Sequence, residues 1–306
     1  MRAVLVGSDL GPRSDAVVRG AAALALGSGA ALHVVHALGM VGMPLREAVA
    51  ALETGADRRA RGALDEQLRR VLGKGSDPAL PAVDFRCAPA ALLERARELD
   101  PGVVVVGAGS SDAAEDPAGT PFRVAARSAR PVLVLRGPLH WPPRSVLYAA
   151  EEPGASGDDL RHACDWLRRA CPPPSPRKPP MELLVLHAAQ GPRAPPDGAA
   201  ALAREARRAG HRQLRVTGIR DPRHGRPPAT PAGHVLDWAG RMAPDLLLLH
   251  RHPGDPAPVR ERAWYQALLR SPCPVCLLPG SGEPAARWED PARERAPEDD
   301  GVLAAG

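Results

Sequence analysis

The stretch "VVVVGAGSSDAAEDPAGT", residues 103–120, sets four valines directly before Gly107, then Gly109, and closes a polar loop on Gly119-Thr120. An unbroken β-branched run ending at glycine predicts a strand covered on both faces, and such strands belong to parallel sheets between two layers of helices. The surrounding residues extend the pattern. "AVLVGSD" (3–9), "ALHVVHAL" (31–38), the weaker "AVDFRC" (82–87) and "PVLVL" (131–135) predict four further strands. Helical segments lie between them. An Ala-rich helix capped by Ser14-Asp15 runs to about residue 26, and one long helix spans "REAVAALETGADRRARGALDEQLRRVL" (46–72). Two shorter ones cover 88–100 and "TPFRVAARSA" (120–129). Strand and helix alternate throughout, with connections that suit right-handed crossovers.

The pattern then restarts. After the Pro-rich "GPLHWPPR" (137–144), "SVLYAAEE" repeats "AVLVGSD" with Glu151 against Asp9. From Cys87 to Leu135 a constant shift of 143 residues reaches Thr230 to Leu278 without a gap, setting "DPGVVVVG" on "APDLLLLH" and "RSARPVLVL" on "RSPCPVCLL". Such self-similarity predicts a tandem duplication. The expected fold class is α/β: two tandem doubly wound domains, 1–136 and 145–280, each with a five-stranded, mainly parallel sheet. The second copy carries the insertion "CPPPSPRKPP" (171–180), and the polar, Pro-rich residues 281–306 are expected to form a disordered tail.

Composition narrows the function. The chain has 306 residues, 44% hydrophobic and 25% charged, enough apolar material for two packed cores. The net charge of +5 is almost all arginine, since Lys74 and Lys178 are the only lysines. Five Trp, two Tyr and two Phe are too few for a stacking platform, which argues against nucleic acid as a partner. No apolar run approaches the roughly 20 residues that span a bilayer. With no signal-peptide pattern and only five cysteines, the expected address is cytoplasmic, with no membrane partner.

Asp9 closing the first strand, "LHVVHA" (32–37), and "CAPAALLERARELDPGVVVVG" (87–107) leading through a glycine loop to "SARPVLVL" (128–135) resemble the universal stress protein family, in two tandem copies. The resemblance implies the adenine nucleotide alpha hydrolase-like fold and a regulatory or protective binding role without evident catalysis. Nucleotide-binding members carry Gly-x2-Gly-x9-Gly-Ser/Thr at this loop. Here Gly109-x9-Gly119-Thr120 fits in full, while Gly107 stands one residue closer. Carried over residue by residue, the resemblance implies an adenine nucleotide such as ATP, with Mg²⁺, against Gly107, Gly109, Gly119 and Thr120. Asp9 would face the ribose or base, and Ala37 the adenine. It also implies self-association through the last strands, "PVLVL" pairing with "PVCLL" inside the chain or between two copies.

Glycines at these positions let backbone N–H groups approach phosphate without a Cβ in the way, beside a helix N-terminus. An alternative reading makes them turn residues, with Thr120 as N-cap and Pro121 as first helical residue. Asp112, Glu115 and Asp116 favour that alternative, and so does the missing N–H of Pro121. A protein-interaction module on the same fold and a weak ATPase are the other functions open to the sequence. In the second copy His250, His252, Arg262 and Ala263 replace Gly107, Gly109, Gly119 and Thr120, which predicts no nucleotide there.

Other constellations carry less. His250-Arg251-His252 puts two imidazoles on one side of an extended strand, but spacing specifies no third ligand, so no metal is assigned. Cys273-Pro-Val-Cys276 leads into a strand, unlike redox motifs that open a helix, and predicts core packing. Cys164 and Cys171 share a helix face and read the same way.

Overall fold

The computed structural model describes residues 1–40, 44–73, 79–108, 119–150, 157–171, 180–187, 204, 214–219, 230–252 and 262–280. The expected disordered tail, residues 172–179 of the insertion and the loop at 109–118 lie outside the described residues. In the first half, β1 (Ala3–Ser8), β2 (Ala31–Ala37), β3 (Ala79–Asp84), β4 (Val103–Gly107) and β5 (Val132–Leu135) alternate with helices. These are α1 (Pro12–Ser28), α2 (Leu45–Glu53), α3 (Ala56–Leu72), α4 (Ala88–Leu99) and α5 (Thr120–Arg127). The second half has β6 (Ser145–Ala150), α6 (Gly157–Ala170), β7 (Met181–His187), β8 (Leu214–Ile219), α7 (Pro231–Met242), β9 (Leu246–Arg251), α8 (Ala263–Arg270) and β10 (Val275–Pro279).

All ten strands form one sheet in the order β3-β2-β1-β4-β5-β10-β9-β6-β7-β8. Pairing is parallel within each half, and β5 meets β10 antiparallel, with Val134 opposite Val275 and Val132 opposite Leu277. The two last strands therefore lie side by side, and the strands of the two halves run in opposite directions, so their C-terminal ends lie at opposite ends of the sheet. Neither "PVLVL" nor "PVCLL" is left with an open edge.

The valine run shows how the layers arise. Val103 and Val105 face α1, α3 and α6, while Val104 and Val106 face α4, α5, α7 and α8. All four are buried, as period-2 alternation demands of a strand with helices on both sides. Cys273 and Cys276 likewise fall in opposite layers; Cys164 is buried on α6, and Cys171, expected on the same helix face, is buried just past its end at Ala170. The halves keep the shift of 143 down to their helix ends: α4 stops at Asp100 and α7 at Ala243, both left-handed, with φ of 49° and 42°.

Three local expectations are corrected. The long helix over 46–72 is two helices, because Gly55 takes φ 72° between α2 and α3, a conformation that costs glycine little and breaks the helical run. The third strand begins at Ala79 rather than 82 and ends at Asp84. Helix α1 starts on Gly11 with Pro12 in its first turn, so Ser14 lies inside the helix.

The seam between halves is packed and polar at once. Phe122 of α5 meets Tyr265 of α8 at 4.9 Å between ring centroids. Arg251 donates to the carbonyls of Ala126 and Ser128, the latter at 2.6 Å, and Arg136 donates to that of Leu268. Each half thus caps a helix C-terminus of the other with a guanidinium, where orphan carbonyls and the helix dipole favour a cation. The connecting residues are anchored as well: Leu139 is buried, and Trp141 Nε1 donates to Ala170 O at 2.9 Å. Gly20 makes room for them, since a Cβ there would stand 2.9 Å from Leu135 and 3.0 Å from Leu139.

Candidate functional site

Within the first half, sheet order reverses between β1 and β4, which are neighbours although α1 to α4 separate them in sequence. Helix α1 covers one face and α4 the other. Strand ends at such a switch point splay into a crevice, and open α/β sheets bind ligands there. Five predicted residues lie on or beside the elements that frame it. Asp9 follows β1, Ala37 ends β2, Gly107 ends β4, and Gly119-Thr120 starts α5. Asp9 is exposed, and Ala37, Gly107, Gly119 and Thr120 are half-buried. Gly109 lies outside the described residues, as do Asp112, Glu115 and Asp116.

The turn after β1 is built from short polar side chains. Asp9 Oδ1 accepts from Gly11 N at 2.8 Å, and Ser8 Oγ accepts from Leu10 N at 3.0 Å. These bonds hold Leu10 at φ 62°, a costly conformation for a branched residue. Beneath them, buried Ser8 donates to Gln67 Oε1 at 2.6 Å, and Gln67 Nε2 donates to Ser14 Oγ and Asp15 Oδ1, both at 2.8 Å. Arg70 grips Asp15 with two bonds of 2.9 and 3.0 Å. Arg70 hydrogen bonding holds the Asp15 carboxyl below its usual range, against a smaller opposing effect of burial. Helix α3 is thereby tied to α1 under the crevice. Sequence reading missed this network, because Gln67 stands among charged residues of α3 and only the fold buries it.

His36 Nδ1 lies 2.9 Å from Ser8 O, linking the ends of β2 and β1 next to Ala37. Gly107 also has a packing reason to be glycine, because a Cβ there would stand 3.2 Å from Val17 of α1. Gly119, not Thr120, is the N-cap of α5, with φ −62° and ψ 153° and no side-chain cap bond. Thr120 and Pro121 form its first turn, which corrects the N-cap reading of Thr120. With Gly119 as cap, no side-chain oxygen closes the helix N-terminus, and the residue has no Cβ to stand before its amide.

The corresponding place in the second half is filled. His250 takes the position of Gly107: each pairs with the last strand of its own half, Gly107 with Leu135 and His250 with Leu278. Its ring is buried against Tyr148, 5.7 Å between centroids. Arg262 is the N-cap of α8 where Gly119 caps α5. Glu151, the counterpart of Asp9, lies outside the described residues.

The first half is thus a doubly wound parallel sheet ordered 3-2-1-4-5, with Ser8 at the end of β1 and Gly107 at the end of β4 meeting at its switch point. Residues 1–136, a little under half of the chain, match the model of the universal stress protein family. A universal stress protein from Archaeoglobus fulgidus is 15% identical, covering 90% of this chain and 96% of that one, with a TM-score of 0.60. A functionally unknown protein from Pseudomonas aeruginosa is 16% identical over 91% of this chain and 92% of its own, with a TM-score of 0.51. Both likenesses are of fold. A universal stress protein in complex with cAMP is 24% identical, covering 44% of this chain and 95% of its own, with a TM-score of 0.36. No curated protein matches the chain in sequence. No described helix is long and apolar enough to cross a membrane.

Proposed function

We propose that the first half binds an adenine nucleotide at the β1–β4 switch point and acts by binding, as a regulatory or protective protein, without turnover. The observation that carries this reading is the contrast between two equivalent strand ends. The first half has Gly107 at the close-approach position and Gly119 at the start of α5, whereas the second has a buried imidazole and an arginine. Side chains at those places in β9 and α8 are compatible with the same fold, so the fold alone does not require glycine at both. Backbone amides near Gly107 and Gly119 would take the phosphates, with the N-terminus of α5 adding its dipole. The Asp9 carboxylate, fixed by the Gly11 amide, would hold a ribose hydroxyl or base edge, and Ala37 leaves space for the adenine ring. Mg²⁺ would bridge phosphate to the acidic loop.

Calorimetric titration of the purified chain with Mg-ATP and with ADP tests the reading. One site per chain is expected. No heat and no thermal shift at millimolar nucleotide would overturn it and favour a protein-interaction role for the same surface.

A further inference from the structure

Asp9 owes its placement to a residue on α3. Ser8 Oγ accepts from Leu10 N at 3.0 Å and donates to Gln67 Oε1 at 2.6 Å. Ser14 Oγ donates to Gly11 O at 2.7 Å and accepts from Gln67 Nε2 at 2.8 Å. Each hydroxyl has one proton to give, and these partners use both. The orientation of the amide is fixed as well, because the Asp15 carboxylate, which only accepts, stands 2.8 Å from Gln67 Nε2 and is held from its other side by Arg70.

One buried amide thus braces the turn on both sides of Asp9, at Leu10 N through Ser8 and at Gly11 O through Ser14. Asp9 Oδ1 accepts from Gly11 N at 2.8 Å, so the direction of the carboxylate follows the turn, while its second oxygen keeps its capacity for a ligand donor. The second half shows that the fold does not require this brace. Strand β6 ends on Ala150 where β1 ends on Ser8, and the register agrees, Ser8 pairing with His36 of β2 and Ala150 with His187 of β7. Ala150 is buried and has no hydroxyl with which to hold a turn. The half with glycine at the neighbouring strand end, Gly107, therefore carries the serine, and the half with His250 there does not.

We propose that Gln67 is a positioning residue for the ligand of the first half: it touches no ligand itself and sets, through Ser8 and Ser14, the direction in which Asp9 offers its carboxylate to a hydroxyl or N–H of the nucleoside. This rests on the nucleotide reading of the switch point. A carboxylate aimed in advance spares the ligand the cost of ordering it, and affinity rises by that amount. Without Gln67 the two serines keep their backbone contacts but lose the group that fixes their rotamers, and Leu10, at φ 62°, is freer to leave a conformation unfavourable to a branched residue. The phosphate contacts at Gly107 and Gly119 lie on other elements and stay as they are.

The test is calorimetric titration of the full chain with Mg-ATP, as wild type, Gln67→Met, Asp9→Ala and the double variant. Gln67→Met, close in volume and unable to make these bonds, should weaken binding about 5–30-fold. In the Asp9→Ala background it should add nothing further, since no carboxylate is left to aim. The same cycle with Ser8→Ala, which copies the alanine that the second half accepts at this position, keeps the test decisive should Gln67→Met fail to fold. Amide exchange in the ligand-free chain gives a second readout: Leu10 and Gly11 should exchange faster in the variant than in wild type. Equal affinity of wild type and folded variant overturns this inference and leaves the nucleotide reading standing. So does equal weakening with and without Asp9, which marks a structural role alone. No binding by the wild-type chain overturns both.

Discussion

Gly107 and His250 sit at equivalent points of one continuous sheet, each opposite the last strand of its own half, Leu135 for the glycine and Leu278 for the histidine. One position leaves a strand end bare and the other fills it with a ring packed on Tyr148. The same scaffold thus presents two different chemistries at opposite ends of its strands.

The network under the bare end should be a large part of the local stability. Gln67→Ala removes the acceptor of Ser8 and the donor to Ser14 and Asp15. Losing these buried hydrogen bonds is expected to cost about 1–3 kcal/mol, although Ser8 keeps Leu10 N and Ser14 keeps Gly11 O. Urea denaturation of the variant beside wild type measures it, and a loss well under 1 kcal/mol would show that water replaces the amide.

Acid sensitivity should trace in part to the ion pair above that network. Arg70 hydrogen bonding lowers the Asp15 carboxyl below 3.8 in the folded chain. A depressed carboxylate contributes stability above its unfolded value, and that contribution is lost as pH falls through the lower folded value. Arg70→Ala should therefore flatten the decline of melting temperature below about pH 4, while lowering it at pH 7. Equal slopes in both proteins, measured by thermal melts from pH 7 to pH 3, would contradict this.

Thiol chemistry should separate one cysteine from four. Cys87 is exposed, while Cys164, Cys171, Cys273 and Cys276 are buried. Burial pushes Cys164 and Cys171 up to about 12, Cys276 well above its usual value, and Cys273 upward despite the hydroxyl of Ser271. Since the thiolate is the reactive species, a disulfide reagent at pH 8 should titrate one thiol rapidly in the native chain and all five after unfolding. A second fast thiol would mean that the α6 or β10 layer opens readily.

The seam between halves offers a further check. Arg251 reaches the carbonyls of Ala126 and Ser128 from a half-buried position, where desolvation lowers its guanidinium to about 10. Arg251→Met keeps the stem but leaves those carbonyls without their cation, and should cost about 1–3 kcal/mol. A calorimetric melt would register it as one lowered transition if the halves unfold together, and as two if they separate.

Much of this architecture was readable in the residues. Runs such as Val103–Val106 announce strands buried on both faces, and the ungapped shift of 143 reappears in the bounds of α4 and α7 and of α5 and α8. What was hidden depends on contacts distant in sequence or on one backbone angle. Gly55 breaks a run of strong helix formers that reads as continuous. Asp159 and His162 carry no mark of their relation to His250-Arg251-His252, because only β6–β9 pairing and the placement of α6 bring them together. For the candidate site, Asp9, Ala37, Gly107, Gly119 and Thr120 were legible as strand and helix ends. Their support by Gln67 was not, since a lone glutamine among Arg and Glu reads as solvent-facing.

The central claim is that the N-terminal switch point binds an adenine nucleotide through bare backbone at Gly107 and Gly119. Calorimetry of Mg-ATP with the wild-type chain and with Gly119→Val, run side by side, tests it most directly. A single site in the wild-type chain that disappears in the folded variant is the predicted result. No binding to the wild-type chain, or equal binding to both, would contradict it.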